Sequence, residues 1–240
     1  MAETEQELPS SVLGTYDHWD EVYKDEMKGL VEMDDPGTEW FGRSATNRVV
    51  RWITKCAELN KHSTILDVGC GNGLLLLALA KQGYTNLVGL DYCQSALDLA
   101  SAVFKKEGLG HVGSWLQVDL TSETVVKDGE CYKTMGLNEV GNEEQAIFDV
   151  CLDKGTYDAV SLNPEDSHKG RESYIQNMAT LMNCSSVFII TSCNWTTSEL
   201  TSHFGKKFNF IEELPAPTFS FGGKSGKTVS TCVFKKKNAL

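Results

Sequence analysis

The strongest chemical signal in this 240-residue chain is Ile65-Leu66-Asp67-Val68-Gly69-Cys70-Gly71-Asn72-Gly73. Glycines at alternate positions let the backbone turn tightly and bring its N–H groups against a ligand, and a helix starting just afterwards adds a positive end. A dinucleotide-binding turn has the pattern G-x-G-x-x-G. Here the sixth position is Leu74, so the pattern is G-x-G-x-G with Asp67 in front, and no Lys or Arg lies in the loop or the first turn after it. An acid at that place repels a pyrophosphate and favours a ligand carrying an ammonium and a sulfonium. Two more acids, Asp91 and Asp119, each close a strand-like run, at the sheet edge where open α/β folds bind ligands. Each acid also has a plainer reading: Asp67 bonds loop amides, Asp91 caps the next helix, Asp119 is an exposed loop acid.

The elements that must position these residues follow from hydrophobic period. Strands are expected at Thr64–Val68, at Leu87–Leu90 closing on Asp91, at Trp115–Val118 ending at Asp119, at Ala146–Leu152 ending at Asp153, and at Ser186–Thr191. Between them, helices are expected at Ser44–Leu59, Leu74–Lys81, Ser95–Lys106 with Ser95 as N-cap, Lys169–Met182 and Thr197–Phe204. Phe208–Glu213 and Thr228–Phe234 then pair across a turn rich in Pro and Gly, giving an antiparallel edge. Strands alternating with helices predict an α/β fold: a mostly parallel, seven-strand Rossmann-like sheet with helices on both faces. Thr121–Gln145 is polar and without clear period, and is expected to be a surface insertion at about 121–145.

Composition narrows the functions. Hydrophobic residues make up 41% and charged residues 23%, a globular balance. Lys+Arg is 22 against Asp+Glu 33, a net charge of −11 that argues against nucleic acid as primary ligand. Met1 to Glu39 holds twelve carboxylates against Lys24 and Lys28, an excess of ten. Residues 1–43 therefore read as an acidic arm, with its first 12 or so residues expected to be mobile, and 44–240 as the main domain. Tyr16, Trp19, Tyr23, Trp40 and Phe41 set aromatics among the acids, which suggests that the arm lies on a core. No apolar run approaches the ~18 residues of a membrane span, and Met1–Ser10 is acidic where a signal peptide is basic and then apolar. The eight scattered cysteines read as free thiols of a reducing compartment, so the cytoplasm is expected, with the nucleus as a second location. The five histidines lack zinc-ligand spacing, and no metal is expected.

With the glycine loop and its three acids in register, the sequence resembles the class I S-adenosylmethionine-dependent methyltransferases. The resemblance implies that Gly69, Gly71 and Gly73 hold the methionyl portion of S-adenosyl-L-methionine, that Asp91 bonds the ribose, and that Asp119 with Leu120 lies near the adenine. A second block, Cys151-Leu152-Asp153-Lys154-Gly155-Thr156-Tyr157-Asp158-Ala159, ends the fourth strand. With Trp40-Phe41-Gly42 upstream, and with Thr191-Ser192-Cys193-Asn194-Trp195 and Glu213 to Gly223 downstream, it is similar to the lysine methyltransferases that modify translation elongation factor 1-alpha. The likeness covers most of Leu8 to Phe234 and departs at 121–145. It implies a protein-lysine N-methyltransferase, a monomer, acting on a basic protein, with elongation factor 1-alpha as the expected partner; a small-molecule methyltransferase or a non-catalytic cofactor-binding module are the alternatives.

Two near-motifs are set aside. Gly222-Gly223-Lys224-Ser225-Gly226-Lys227-Thr228 imitates a Walker A loop, but the required first glycine is Phe221 and no helix follows. Asn163-Pro164-Glu165-Asp166 lacks the second proline and the aromatic of the nucleic-acid amino-methyltransferase motif. For the chemistry itself, Asp153 either caps the next helix or orients the substrate amine. Lys154 is read as an ion-pair partner, and Trp40 and Phe41 either pack or hold an ammonium by cation–π attraction.

Overall fold

Ile65 on one side and Leu66 and Val68 on the other are each at most 1% exposed, so the strand Thr64–Val68 (β1) is buried on both faces. This is why it reads as a continuous apolar run. The computed structural model describes residues 7–122, 148–221 and 224–238. Around β1 the chain places β2 (Asn86–Asp91), β3 (Gly113–Gln117), β4 (Val150–Lys154) and β5 (Val187–Ser192), all parallel. β6 (Phe208–Glu213) and β9 (Ser230–Lys236) complete a seven-stranded sheet of order β3-β2-β1-β4-β5-β9-β6, with β9 antiparallel to both its neighbours. The expected Rossmann-like fold is the observed one. A hairpin of β7 (Thr218–Phe221) and β8 (Lys224–Lys227) stands between the last two strands, where the sequence suggested only a turn.

Strand alternation distributes the core over two faces. Ile65, Val150, Leu152, Val187 and Ile189 join a cluster with α1 (Tyr16–Met33), α2 (Gly42–Lys55), α3 (Leu74–Ala80) and α4 (Gln94–Lys106). Leu66, Val68, Cys151, Phe188 and Ile190 face α5 (Thr156–Ser161), α6 (Ser167–Thr180) and α7 (Thr197–Phe204). Phe188, Phe204, Phe208 and Phe234 meet there with ring centroids 5.3–6.2 Å apart, each at most 1% exposed. α7 begins with a capping box: Glu199 N donates to Thr196 Oγ1 and Thr196 N to Glu199 Oε2.

The arm departs most from expectation. Its segment Tyr16–Met33 is an 18-residue helix that buries Tyr23 and Leu30. Mobility was expected through residue 12 or so, yet Ser11 N donates to Leu162 O at 3.0 Å and a short 3-10 turn follows at Val12–Gly14. Ser95 is not the N-cap of α4: the helix starts at Gln94 after Cys93, and Ser95 Oγ donates to Asp20 at 2.8 Å. Of the polar insertion expected at 121–145, only Thr121 and Ser122 fall within the described residues. Among the described residues no helix is long and apolar enough to cross a membrane.

Candidate functional site

A cleft of about 600 Å³ opens at the carboxyl ends of β1 to β4, a size typical of small-molecule sites. Its floor is the glycine loop. Gly69, Gly71 and Gly73 have φ of 62°, 52° and 73°, which L side chains adopt only with strain. A Cβ on Gly69 would overlap the Thr156 hydroxyl, which donates to Val68 O at 2.7 Å and so ties α5 to the loop. A Cβ on Gly71 would come 2.8 Å from the Tyr23 hydroxyl, reaching down from α1.

Asp91 locks this floor. Gly71 N and Cys93 N each donate to its carboxylate at 3.0 Å, and it is 3% exposed on the cleft wall. Burial pushes its carboxyl up to about 6, against the pull of the Cys93 and Gly71 amides. The loop-fixing acid is therefore Asp91, not Asp67. Asp67 follows Leu66 and precedes Val68 in β1, so alternation turns it to the face of Ile65; it is 3% exposed and does not line the cleft. Burial raises its carboxyl to about 7, with Lys154 pulling the other way.

Asp119 lies beyond the end of β3, exposed at the cleft, with Thr121 N at 2.8 Å and Thr121 Oγ1 at 2.6 Å donating to one carboxylate oxygen. Leu120 beside it is buried, lines the cleft, and is held from α6 by Asn177 Nδ2 donating to its carbonyl at 2.7 Å. Trp40 and Phe41 form the opposite wall. Trp40 packs edge-on to Trp19 at 5.2 Å. Phe41 takes φ of 60°, rare for a bulky residue, and its ring covers Gly155.

Asp153 reads from the sequence as a helix cap or as the group that orients the substrate amine, and its contacts here are those of a cap. Thr156 N at 3.0 Å, Tyr157 N at 2.9 Å and the Tyr174 hydroxyl at 2.5 Å all donate to it; it is 2% exposed and absent from the cleft wall. It caps α5, with one donor on Oδ1 and two on Oδ2. Its neighbour Lys154 does line the cleft, with Nζ donating to Trp40 O at 3.2 Å.

The sequence reading lays the aromatic arm on the core but does not assign Tyr16, Trp19 and Tyr23 to the cleft. Tyr16, Trp19 and Tyr23 line the cleft from α1 at spacings of three and four, a helical face visible in the sequence itself. Glu26 on the same helix accepts from Thr38 N at 2.7 Å and from Asn72 Nδ2 at 3.4 Å, joining the arm to the glycine loop. Asn163, Pro164 and Glu165, set aside as a failed motif, also line the cleft, and nothing in their spacing announces it. Among the described residues no group of His, Cys, Asp and Glu is placed to hold a metal ion.

Comparison with known proteins gives the same picture from another direction. A family model described as a methyltransferase domain matches residues 59–237. The chain is 40% identical over 227 residues to EEF1A lysine methyltransferase 2 of Mus musculus, covering 95% of this chain and 85% of the relative. It is 33% identical over 245 residues to the protein-lysine N-methyltransferase efm4 of Schizosaccharomyces pombe, covering 95% of each. Among solved structures, the TehB-like SAM-dependent methyltransferase of Corynebacterium glutamicum superposes with a TM-score of 0.56 at 17% identity, covering 92% of this chain and 100% of that one. Magnesium protoporphyrin IX methyltransferase from Synechocystis, solved with bound SAM, gives a TM-score of 0.53 at 15% identity, covering 81% and 79%. At those identities the two structures speak for the fold alone.

Proposed function

The chain belongs to the methyltransferase-domain family and, within it, to the family of the EEF1A lysine methyltransferase 2 proteins, and from that premise we propose that it is an S-adenosylmethionine-dependent protein-lysine N-methyltransferase acting on elongation factor 1-alpha. The observation that carries this reading is the extent of the likeness: 40% identity over 95% of the chain takes in the aromatic arm as well as the sheet.

The cleft fits the donor. Its floor lets a ligand lie against glycine backbone, and five acids, Asp17, Asp91, Asp119, Asp158 and Glu165, line its walls, which suits a ligand with two positive centres. Asp91 is the proposed ribose acceptor. Each carboxylate oxygen takes one backbone amide and retains a further lone-pair site for a hydroxyl. Asp119 and Leu120 are the proposed adenine neighbours, and Gly69 to Gly73 the methionyl floor.

When bound, S-adenosylmethionine supplies a methyl group already activated by the sulfonium charge. What remains for the protein is alignment and a neutral amine. A lysine has an ordinary pKa near 10.4 and must lose its proton before it can accept a methyl. With Asp153 held as a cap, deprotonation falls to the surroundings: as Trp40 and Phe41 strip water from the amine, its ammonium form is disfavoured and the proton passes to bulk water at the cleft opening. The same two rings hold the incoming ammonium by cation–π attraction before it is desolvated. The protein is proposed to work as a monomer in the cytoplasm, where the seven described cysteines, all free, stay reduced.

The test is direct. The purified chain, isotopically labelled donor and elongation factor 1-alpha are incubated together, and the peptides are read by mass spectrometry. Label on a lysine of the factor is expected. Label confined to RNA or to small molecules overturns the reading.

A further inference from the structure

Lys154 ends β4 in the middle of the sheet, one residue past the Val68–Asp153 pair and therefore beside Gly69. Among the described residues lining the cleft it is the only one with a cationic side chain, and it stands among Asp17, Asp91, Asp119, Asp158 and Glu165. It is half-buried, and Trp40 O is the acceptor it reaches, at 3.2 Å. Among the described residues it forms no direct ion pair, although Asp67, Glu39 and Asp153 are near enough to act on its charge. An ammonium has three donors, so one hydrogen bond leaves capacity facing the cleft. A half-buried cation whose nearest acids make no direct ion pair with it costs free energy, and in a site for a cationic donor and a cationic acceptor it repels both. An anion brought in by the ligand offsets both costs.

The glycine loop is not a substitute for that cation. Cys70 N is committed to Leu90 O at 3.0 Å, Gly71 N to Asp91 at 3.0 Å and Gly73 N to Cys70 O at 2.9 Å. A loop with these amides already bonded cannot cradle an anion as a phosphate-binding loop does. The proposed donor carries an ammonium, a sulfonium and one carboxylate, and only the carboxylate is negative. Resting on the proposed function, we propose that Lys154 binds the carboxylate of the donor's methionyl end and thereby makes the site selective for donors that carry one.

Lys154 also touches the arm through Trp40 O, so the test must separate a carboxylate contact from a loosened wall. Calorimetry of the full chain with S-adenosylmethionine and with its decarboxylated form, which keeps both positive charges, does so. Wild type is expected to prefer the carboxylate-bearing donor by about 10- to 100-fold, the range of a charge-assisted hydrogen bond. Lys154→Met should abolish most of that preference by weakening the carboxylate-bearing donor, while the decarboxylated donor binds as tightly or more tightly because a repelling charge is gone, and Lys154→Arg should retain the preference. Equal weakening of both donors in Lys154→Met, or an unchanged preference, overturns the assignment. If wild type binds neither donor, the methyl-donor reading of the cleft falls, and this assignment with it.

Discussion

Asp91 holds backbone amides from two different loops, Gly71 N and Cys93 N, and so fixes the distance between floor and back wall before any ligand arrives. Asp91→Ala should therefore act twice. Loss of two charge-assisted bonds to the ribose weakens donor binding roughly a hundredfold or more, and each buried amide left without an acceptor costs about 1–3 kcal/mol of stability. Calorimetry and a denaturant titration separate the two effects; unchanged donor affinity would remove Asp91 from the ribose. A pH dependence follows from the same carboxyls. Asp67 and Asp91 are raised to about 7 and about 6, so between those values and the ordinary carboxylate range the folded chain carries more protons than the unfolded one. Their contribution to stability is full below about pH 4 and is lost as pH rises through about 6 and 7. A cationic donor favours the ionised forms. Through Asp91, the one of the two on the cleft wall, donor affinity should rise about fourfold from about pH 5.5 to 7.5, with protons released near pH 6. Titration calorimetry in two buffers of different ionisation heat measures that release, and an absence of release at pH 6 counts against the acids facing the donor.

The elements were legible wherever burial is symmetrical or a loop is short. β1, α7 and β6 coincide with the expected Thr64–Val68, Thr197–Phe204 and Phe208–Glu213 because apolar period and capping residues agree there. What the sequence hid are interactions decided by neighbours distant in the chain. An acid closing a strand satisfies both a cap and a catalytic reading; the Thr156 and Tyr157 amides make Asp153 a cap, and Tyr174 arriving from α6, which the sequence does not announce, buries it there. Asp67 and Asp91 each stand at a strand end, and only the pairing of β1 with β2 brings the Gly71 amide to Asp91. In α1 the aromatic face of Tyr16, Trp19 and Tyr23 keeps helical spacing, but with two buried residues in eighteen the charges around it mask the extent of the helix. Because α1 and the following segment roof the cleft, donor binding should slow hydrogen exchange at Thr38, whose amide bonds Glu26, by several-fold while leaving β4 and β5 unchanged. No slowing at saturating donor would mean that the arm does not close on it. On the opposite face, Phe188→Ala removes the ring shared by Phe204, Phe208 and Phe234 and should cost about 3–5 kcal/mol in a urea titration.

For the whole molecule, charge is distributed with a direction. Residues 1–39 carry an excess of ten carboxylates in a chain whose net charge is −11, so the rest is nearly neutral. α1 turns Tyr16, Trp19 and Tyr23 to the cleft and leaves Glu21, Asp25 and Glu32 exposed, so the helix that lines the cleft also carries surface carboxylates, of which Asp25 pairs with Lys28. A field of this kind raises the encounter rate of a basic partner and decays over about 10 Å at 0.1 M salt. A solvated surface would do nothing of the sort, and the two cases differ in kinetics. With steering, kcat/KM for elongation factor 1-alpha falls several-fold as salt is raised, and the triple variant Glu21→Gln, Asp25→Asn, Glu32→Gln lowers it by about 3- to 10-fold at low salt. The loss should fall on KM, and donor affinity should stay unchanged, because none of the three residues lines the cleft. A variant with wild-type kcat/KM and wild-type salt response would show that the acids on α1 face only water, and that recognition of the substrate rests on the aromatic wall of Trp40 and Phe41.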